Sequence, residues 1–375
     1  MHRLRKTALC VILAVFCCAS SAYGADDLIT WIRRTGGLVD LEIGAVNDKG
    51  LRGTKAARDM KKDQIAVHLP AHLAIPLGDG SVTPEENTVI LLRQQRDHPE
   101  WNASMLPYWE SLPRMGASIT KENMPQAALH LLQDPVLAAS IVVHNAYTKN
   151  VFEGGKPALI ENFAQELPGI DLQFFRHLTS VVASYAFLFP SEDGVPHRML
   201  LPLLDMINHA NQPGANLHIM QAESGDIYAY TLRDIRAGEE LKHTYTTGIR
   251  RNDHCIFHYG FVQESDTPAL VEQDLPAGNL YDVSPYAETD YDIGGPLSSK
   301  AELQRLQAVL DSFTTTAAQD AELLQVQTPW WKFWARGVPR NDLERMFVQY
   351  RMMRKEGLHY VVQKLKDALM VTHEL

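Results

Sequence analysis

From Met199 to Leu204 the chain is apolar at every position, and the run closes on DMINHANQPGAN, residues Asp205 to Asn216. A surface loop needs no such lead-in. A plain core strand would not end in so many groups that need hydrogen-bond partners, because unpartnered polar groups are costly to bury. The pattern predicts a backbone carried through the interior and stopped where Asp205, Asn208 and His209 meet a ligand. The Pro-Gly pair then turns the chain away.

On either side of this run the character of the chain alternates. Residues 26–34 predict a short helix with Leu28, Trp31 and Ile32 on one face, ended by Gly36-Gly37. Val39 to Val46 predicts a strand, Gly50 and Gly53 a tight turn, and Ile65 to Leu69 a strand between turns. From about residue 85 to about residue 195 the apolar spacing is helical, as in Leu178, Val181, Val182 and Tyr185. Strand-and-turn character returns after Met199. Leu217–Met220 and Asp226–Leu232 predict paired strands, and Leu241–Tyr245 a further one. Helices follow again, with capping pairs at Ser299/Glu302 and Asn341/Glu344. The order β-rich, helical, β-rich, helical predicts an α+β chain: a β fold split by a helical insert, then a helical C-terminal part. The expected boundaries are 25–265 and 266–375.

Composition narrows the partners. The chain has 375 residues with a formal charge of −10, and its apolar content of 45% is enough for a large core. Arg3, Arg5 and Lys6 before the apolar stretch Ala8–Ala19, then Ala22-Tyr23-Gly24, predict an export signal over residues 1–24. The secretory route is the expected destination, with an organelle such as the plastid as the alternative. Losing the signal would leave the chain three units more acidic. Such a chain is a poor nucleic-acid binder, since phosphate contacts dominate that affinity, and suits basic protein segments. No stretch predicts a transmembrane span. Three of the four cysteines lie in the signal, leaving Cys255, so neither a disulfide framework nor a multi-cysteine zinc site is expected. His254 and His258 have one-face helical spacing, but nothing beside them predicts a metal. TPWWKFWARG, from Thr328, reads as packing against the helical tail, and Asn102-Ala103-Ser104 is a glycosylation sequon.

Four segments, in chain order, carry a family resemblance: KGLRG, DMINHANQPGAN, IRAGEELKHTY and HYGFV. Together they resemble the SET-domain methyltransferases. The subgroup they resemble has a helical insert and includes the Rubisco large-subunit lysine methyltransferase and an actin-histidine methyltransferase. LITWIRRTGG, MLPYWESLP and SYAF support the match. The resemblance covers most of residues 27–262, and YRMMRKE from Tyr350 is only loosely similar to the family's C-terminal helices. It implies a β-rich SET fold in which the Asn208-His209 segment joins a threaded, knot-like arrangement, an exception to the usual rule against threading.

The implied chemistry is transfer of a methyl group from S-adenosyl-L-methionine to an exposed lysine of a non-histone protein. A histidine acceptor is one alternative, and a silent protein-binding module is the other. Transfer needs in-line alignment and an uncharged amine, and burial beside a cationic sulfonium lowers a lysine's pKa toward that state. By the resemblance Tyr245 is the catalytic phenol, Tyr259 a second tyrosine of the acceptor channel, and Phe261 a neighbour of the cofactor. Asn208 and His209 contact the cofactor, while Gly50, Leu51, Arg52 and Gly53 wrap its methionine end with main-chain groups. Asp205 and Ser184 lie toward the acceptor. No metal is implied, and a monomer is expected. Two positions depart from the family pattern: Tyr185 stands where Arg is common, which leaves open how the donor's carboxylate is held, and Asp63 stands where Gly is common.

Overall fold

A computed structural model describes residues 25–48, 50–117, 120–154, 169–190, 194–211, 213–245, 251–263, 300–325, 339 and 341–371. The leader at 1–24, the cap residue Ser299 and the tryptophan-rich segment lie outside the described residues. Contacts group the chain into two compact units. One comprises residues up to 118 together with 146–248, and the other comprises 119–145 together with 249–375.

The first unit opens with α1 (Ala25–Arg34), which buries Leu28, Ile29 and Ile32. Gly36, at φ +95, turns the chain into β1 (Leu38–Val39) and β2 (Leu41–Ala45). The sequence predicts one strand here, and the structure has two. Asp40 interrupts it by giving its amide to Ala66 and its carbonyl to Ala57, so β1 and β2 pair with different neighbours. β3 (Arg52–Ala56) and β4 (Ile65–Leu69) follow. Asp63 lies between them at φ 63, a left-handed position that Asp tolerates and Gly adopts freely. β5 (Ile75–Asp79) leads to α2 (Pro84–Asp97), which begins with a full capping box between Thr83 and Glu86. α3 (Pro99–Ser104) and α4 (Leu106–Ser111) come next. α3 holds the sequon asparagine, but Asn102 is only 7% exposed, so the folded chain does not present it to a glycan.

α5 (Pro135–Phe152) and α6 (Leu172–Tyr185) continue the helical stretch. β6 (Ala186–Phe189) and β7 (His197–Leu200) make a three-stranded sheet with β5, in the order β5-β7-β6. The apolar run then behaves as its composition demands: Leu200, Leu201, Leu203, Leu204 and Ile207 are all fully buried. It delivers the chain through a short 3-10 turn, Leu204–Met206, to β8 (Asn208–His209). β9 (Leu217–Gln221), β10 (Ile227–Thr231) and β11 (Glu240–His243) complete the larger sheet. Its order is β1-β4-β10-β9-β11-β3-β2, with β8 joined in parallel to β11.

The second unit is helical. α7 (Asn252–Tyr259), α8 (Lys300–Asp311), α9 (Ala317–Gln325) and the long α10 (Asp342–Val371) belong to it, with residues 119–145. Those residues fall inside the insert expected from sequence, yet their apolar side chains pack here. Leu129, Leu132, Leu137 and Ile141 form one core with Ile256, Phe347 and Tyr350. Asn341 caps α10 by accepting from the Glu344 amide at 2.9 Å. The segment YRMMRKE lies on α10 and is mostly buried, and its Tyr350, Arg351, Arg354 and Lys355 each have an acidic partner. Tyr350 donates to Asp134 at 2.6 Å, and Arg354 meets the same carboxylate at 3.1 Å. Arg351 and Lys355 converge on Asp320. Among the described residues no helix is long and apolar enough to cross a membrane.

Candidate functional site

The site grows from the end of the buried run. Leu203 has φ 76 and ψ −44, a γ-turn conformation that is strained for a residue with a side chain. The next two residues lead to Asp205, whose buried carboxylate accepts from the Tyr108 hydroxyl at 2.6 Å through Oδ2. Its other oxygen, Oδ1, is buried with no partner. Burial pushes the Asp205 carboxyl up to about 7, even though the Tyr108 bond and the charge of Arg52 favour ionisation. Burial also lifts Tyr108 well above a normal phenol, and the adjacent carboxylate adds to that. Tyr108 sits in MLPYWESLP, a segment that supported the resemblance without suggesting a role for this residue.

Asn208 holds two strands together. Its Nδ2 donates to the Arg52 carbonyl at 3.2 Å and to Glu240 Oε1 at 3.0 Å. Gly53 lies in β3, opposite Gly44, and not in the tight turn expected from sequence. A Cβ at Gly53 would strike the Asn208 amide and Val46 Cγ1, so the strand approaches Asn208 more closely than any side chain allows. Gly50 supplies the turn instead, with φ +78 and open space around it. Leu51 is 52% exposed. The Arg52 guanidinium donates to the Ser111 carbonyl at 2.8 Å. It also faces the Tyr185 hydroxyl: burial raises that phenol, while the charge of Arg52 and a hydrogen bond from it act the other way. Ser184, the neighbouring candidate, lies in the last turn of α6.

Tyr245 stands two residues beyond β11, where two histidines frame it. Its amide donates to His209 Nδ1 at 3.2 Å, so that nitrogen carries no proton in this arrangement. The His209 and His243 rings each lie 4.9 Å from the Tyr245 ring. The phenol donates to the Ile207 carbonyl at 3.2 Å. The last residue of DMINHANQPGAN fastens the strand from below: Asn216 Oδ1 accepts from the Lys242 amide and its Nδ2 donates to the Glu240 carbonyl, both at 2.8 Å. His243 is buried and stacks on Phe187 at 5.4 Å. Burial, and then the neighbouring His209, lower its pKa to about 3. Sequence reasoning assigned no role to His243, Glu240 or Asn216. The signal was there, since polar side chains at inward positions of a core strand need partners.

His243 and Asp205 act oppositely on stability. The buried His243 stays neutral while the unfolded chain takes up a proton below about pH 6.5, so its contribution is lost as pH falls from about 6.5 to about 3. Asp205 keeps its proton when folded up to about pH 7, so its contribution is lost as pH rises from about 3.8 to about 7. The stability difference between the native protein and a His243→Phe variant isolates the first effect. It should shift in favour of the native protein by about 1.4 kcal/mol per pH unit between pH 3.5 and 6. Urea titrations at several pH values measure it, and a pH-independent difference refutes the buried neutral state.

The residues singled out from the sequence fall in both units. Gly50, Leu51, Arg52, Gly53, Ser184, Asp205, Asn208, His209 and Tyr245 belong to the first. Bonds or close rings join Arg52 to Asn208 and His209 to Tyr245. Tyr259 and Phe261 belong to the second unit, where Tyr259 closes α7 before Gly260 at φ 71, with their rings 6.1 Å apart. His254 and His258 meet edge to face at 5.1 Å on the same helix. Among the described residues no group of three or more His, Cys, Asp or Glu side chains is placed to hold a metal.

A phenol at the end of a core strand, beside an Asn-His pair and a glycine-bearing strand, defines a class of site, and a family description assigns it. The SET domain family matches residues 52–246, more than half of the chain, and the chain belongs to that family. Among curated proteins it is similar to the N-lysine methyltransferase setd6 of Salmo salar, with 28% identity over 116 residues. That match spans 29% of this chain and about a quarter, 25%, of the relative. Among solved structures it is similar to the SET domain of LSMT bound to lysine and AdoHcy, with a TM-score of 0.63 and 14% identity over 94% of this chain and 92% of that one. Rubisco LSMT bound to AdoMet gives a TM-score of 0.61 at 14% identity, covering 92% and 91%. At such identities the likeness shows the fold: a SET fold with a largely β core and a helical C-terminal region.

Proposed function

We propose that this chain is an S-adenosylmethionine-dependent protein methyltransferase whose acceptor is a lysine amine. The observation that carries the reading is Tyr245, its phenol bonded to the Ile207 carbonyl and its amide to His209, beside Asn208, which bonds the strand that bears Gly53. Membership of the SET family supports it, as do the relative named as an N-lysine methyltransferase and the AdoMet-bound neighbour.

The residues fit a sulfonium donor. Gly53 lets the backbone come close, the Arg52 guanidinium has no carboxylate partner among the described residues, and Asp205 Oδ1 is buried without a hydrogen-bond donor. When bound, the donor supplies an electrophilic methyl group. Tyr245 presents a hydroxyl oxygen that can hold a methyl through weak C–H···O contacts, alongside the Ile207 carbonyl. Alignment of nucleophile and leaving group then supplies much of the rate. Above about pH 7, where it is ionised, Asp205 attracts the arriving ammonium, and burial of the amine favours the ammonium's loss of a proton before reaction. The roles of Tyr259 and Phe261 in the acceptor channel rest on the HYGFV motif alone.

In the same reading the acceptor is a non-histone protein, to which an acidic chain is electrostatically suited. The protein acts as a monomer, and residues 1–24 direct it to the secretory route. Calorimetry with S-adenosylhomocysteine on the purified protein tests the donor site. Incubation with methyl-labelled donor and a cell extract then identifies the acceptor and the modified residue. Saturable binding and a labelled lysine are the expected results. Binding without any transfer marks a recognition module, and label on histidine moves the acceptor to imidazole.

A further inference from the structure

We propose that Arg52, together with the Tyr185 hydroxyl, is the seat for the α-carboxylate of the donor's amino-acid tail. The inference rests on the donor-binding reading above and adds a recognition element to it.

The guanidinium engages neutral groups. Arg52 makes one side-chain bond to a carbonyl, Ser111, and faces one phenol, Tyr185. No carboxylate of the described residues lies within ion-pairing distance of it, although the chain is acidic overall. The Asp205 carboxyl feels the charge of Arg52 and is already engaged by Tyr108. Arginine has five donors in a planar fork suited to a carboxylate, so a guanidinium using few of them on neutral groups keeps donors for a ligand.

Placement supports the assignment. Arg52 is the first residue of β3, its carbonyl is held by Asn208, and Gly53 beside it comes too close to Asn208 to carry a side chain. Tyr185 ends α6, is half-buried, and its hydroxyl interacts with the Arg52 guanidinium. A carboxylate between the two would accept from both: a charge-assisted bond from guanidinium and a bond from phenol. The rest of the tail would then run along the Gly53 backbone toward Tyr245. The cation on the strand thus does the work that a cation at position 185 would otherwise do.

The test uses two ligands that differ by one group. S-adenosylhomocysteine carries the carboxylate, and S-adenosyl-3-thiopropylamine is the same thioether without it. Calorimetry on the full-length protein should show the first binding about 10- to 100-fold more tightly than the second, the range expected for charged hydrogen bonds. In Arg52→Ala the ratio should fall below about threefold through weaker binding of S-adenosylhomocysteine alone, and Arg52→Lys should restore part of it. Tyr185→Phe should lower the ratio by a smaller factor. Arg52 is exposed at its strand end, so the variants should fold, and an unchanged melting temperature verifies that. If Arg52→Ala weakens both ligands equally, or neither, the carboxylate seat is wrong while the donor site stands. If the native protein binds neither ligand, the donor site itself is wrong and both readings fall.

Discussion

Tyr245→Phe should lower methyl transfer about a hundredfold while leaving the affinity for S-adenosylhomocysteine within about threefold. The size follows from what one preorganised oxygen at a reacting centre contributes. The hydroxyl is fixed before any ligand arrives, by its bond to the Ile207 carbonyl at 3.2 Å and by rings on either side. Removing it keeps the ring packing, so the donor pocket should hold its shape. It also leaves the Ile207 carbonyl without that donor, which should cost about 1 kcal/mol of stability. Rates are read as label incorporated into the acceptor at saturating donor, and affinity by calorimetry. Transfer at the native rate would show that the phenol lies off the reaction path. A matching loss of affinity would show that it holds the donor and not the methyl.

Part of this arrangement was legible because its constraints are local. The buried lead-in and its polar end follow from polar groups at a place where the chain is otherwise apolar, whereas Tyr245 is singled out through the family resemblance. Asn216 could have been read the same way, since a polar residue at the edge of a buried strand must find partners. Tyr108 could not. Its contact with Asp205 joins positions 97 apart in sequence, and no local pattern marks which of the two aromatic residues in MLPYWESLP meets that carboxyl. The role of Arg52 is non-local too: glycines on either side suggested a main-chain loop, and only folding shows the guanidinium facing Tyr185.

The fold follows the same division. Strand pairs with short turns, such as β9 and β10 around Gly225, are marked by alternation and by a glycine at positive φ. The single break at Asp40 is invisible, because a strand that changes partners keeps its alternation. Helical spacing located residues 119–145 as helical without saying which core they join. That choice depends on α10, more than two hundred residues later, whose Phe347 and Tyr350 fill the same cluster.

Asp320→Ala should destabilise the helical unit by about 3–5 kcal/mol, the cost of leaving buried charges uncompensated. Asp320 is fully buried on α9 and serves three donors. Arg351 reaches it through Nε at 3.0 Å and Nη2 at 2.7 Å, Thr315 donates at 2.8 Å, and Lys355 also bonds to it. Burial lowers the Lys355 pKa, and Asp320 offsets part of that. Alanine would strand two cations in the interior of α10 and α9. The same physics predicts that the network itself adds little net stability, since desolvation consumes most of its attraction. Asp320→Leu with Arg351→Met and Lys355→Met should therefore recover most of the loss, short of the Leu131 carbonyl that Arg351 now satisfies at 3.0 Å. Urea denaturation followed by far-UV circular dichroism measures both. A single variant as stable as the native protein would mean the cations reach water without Asp320, and a triple variant no better than the single would mean that packing sets the cost and not charge.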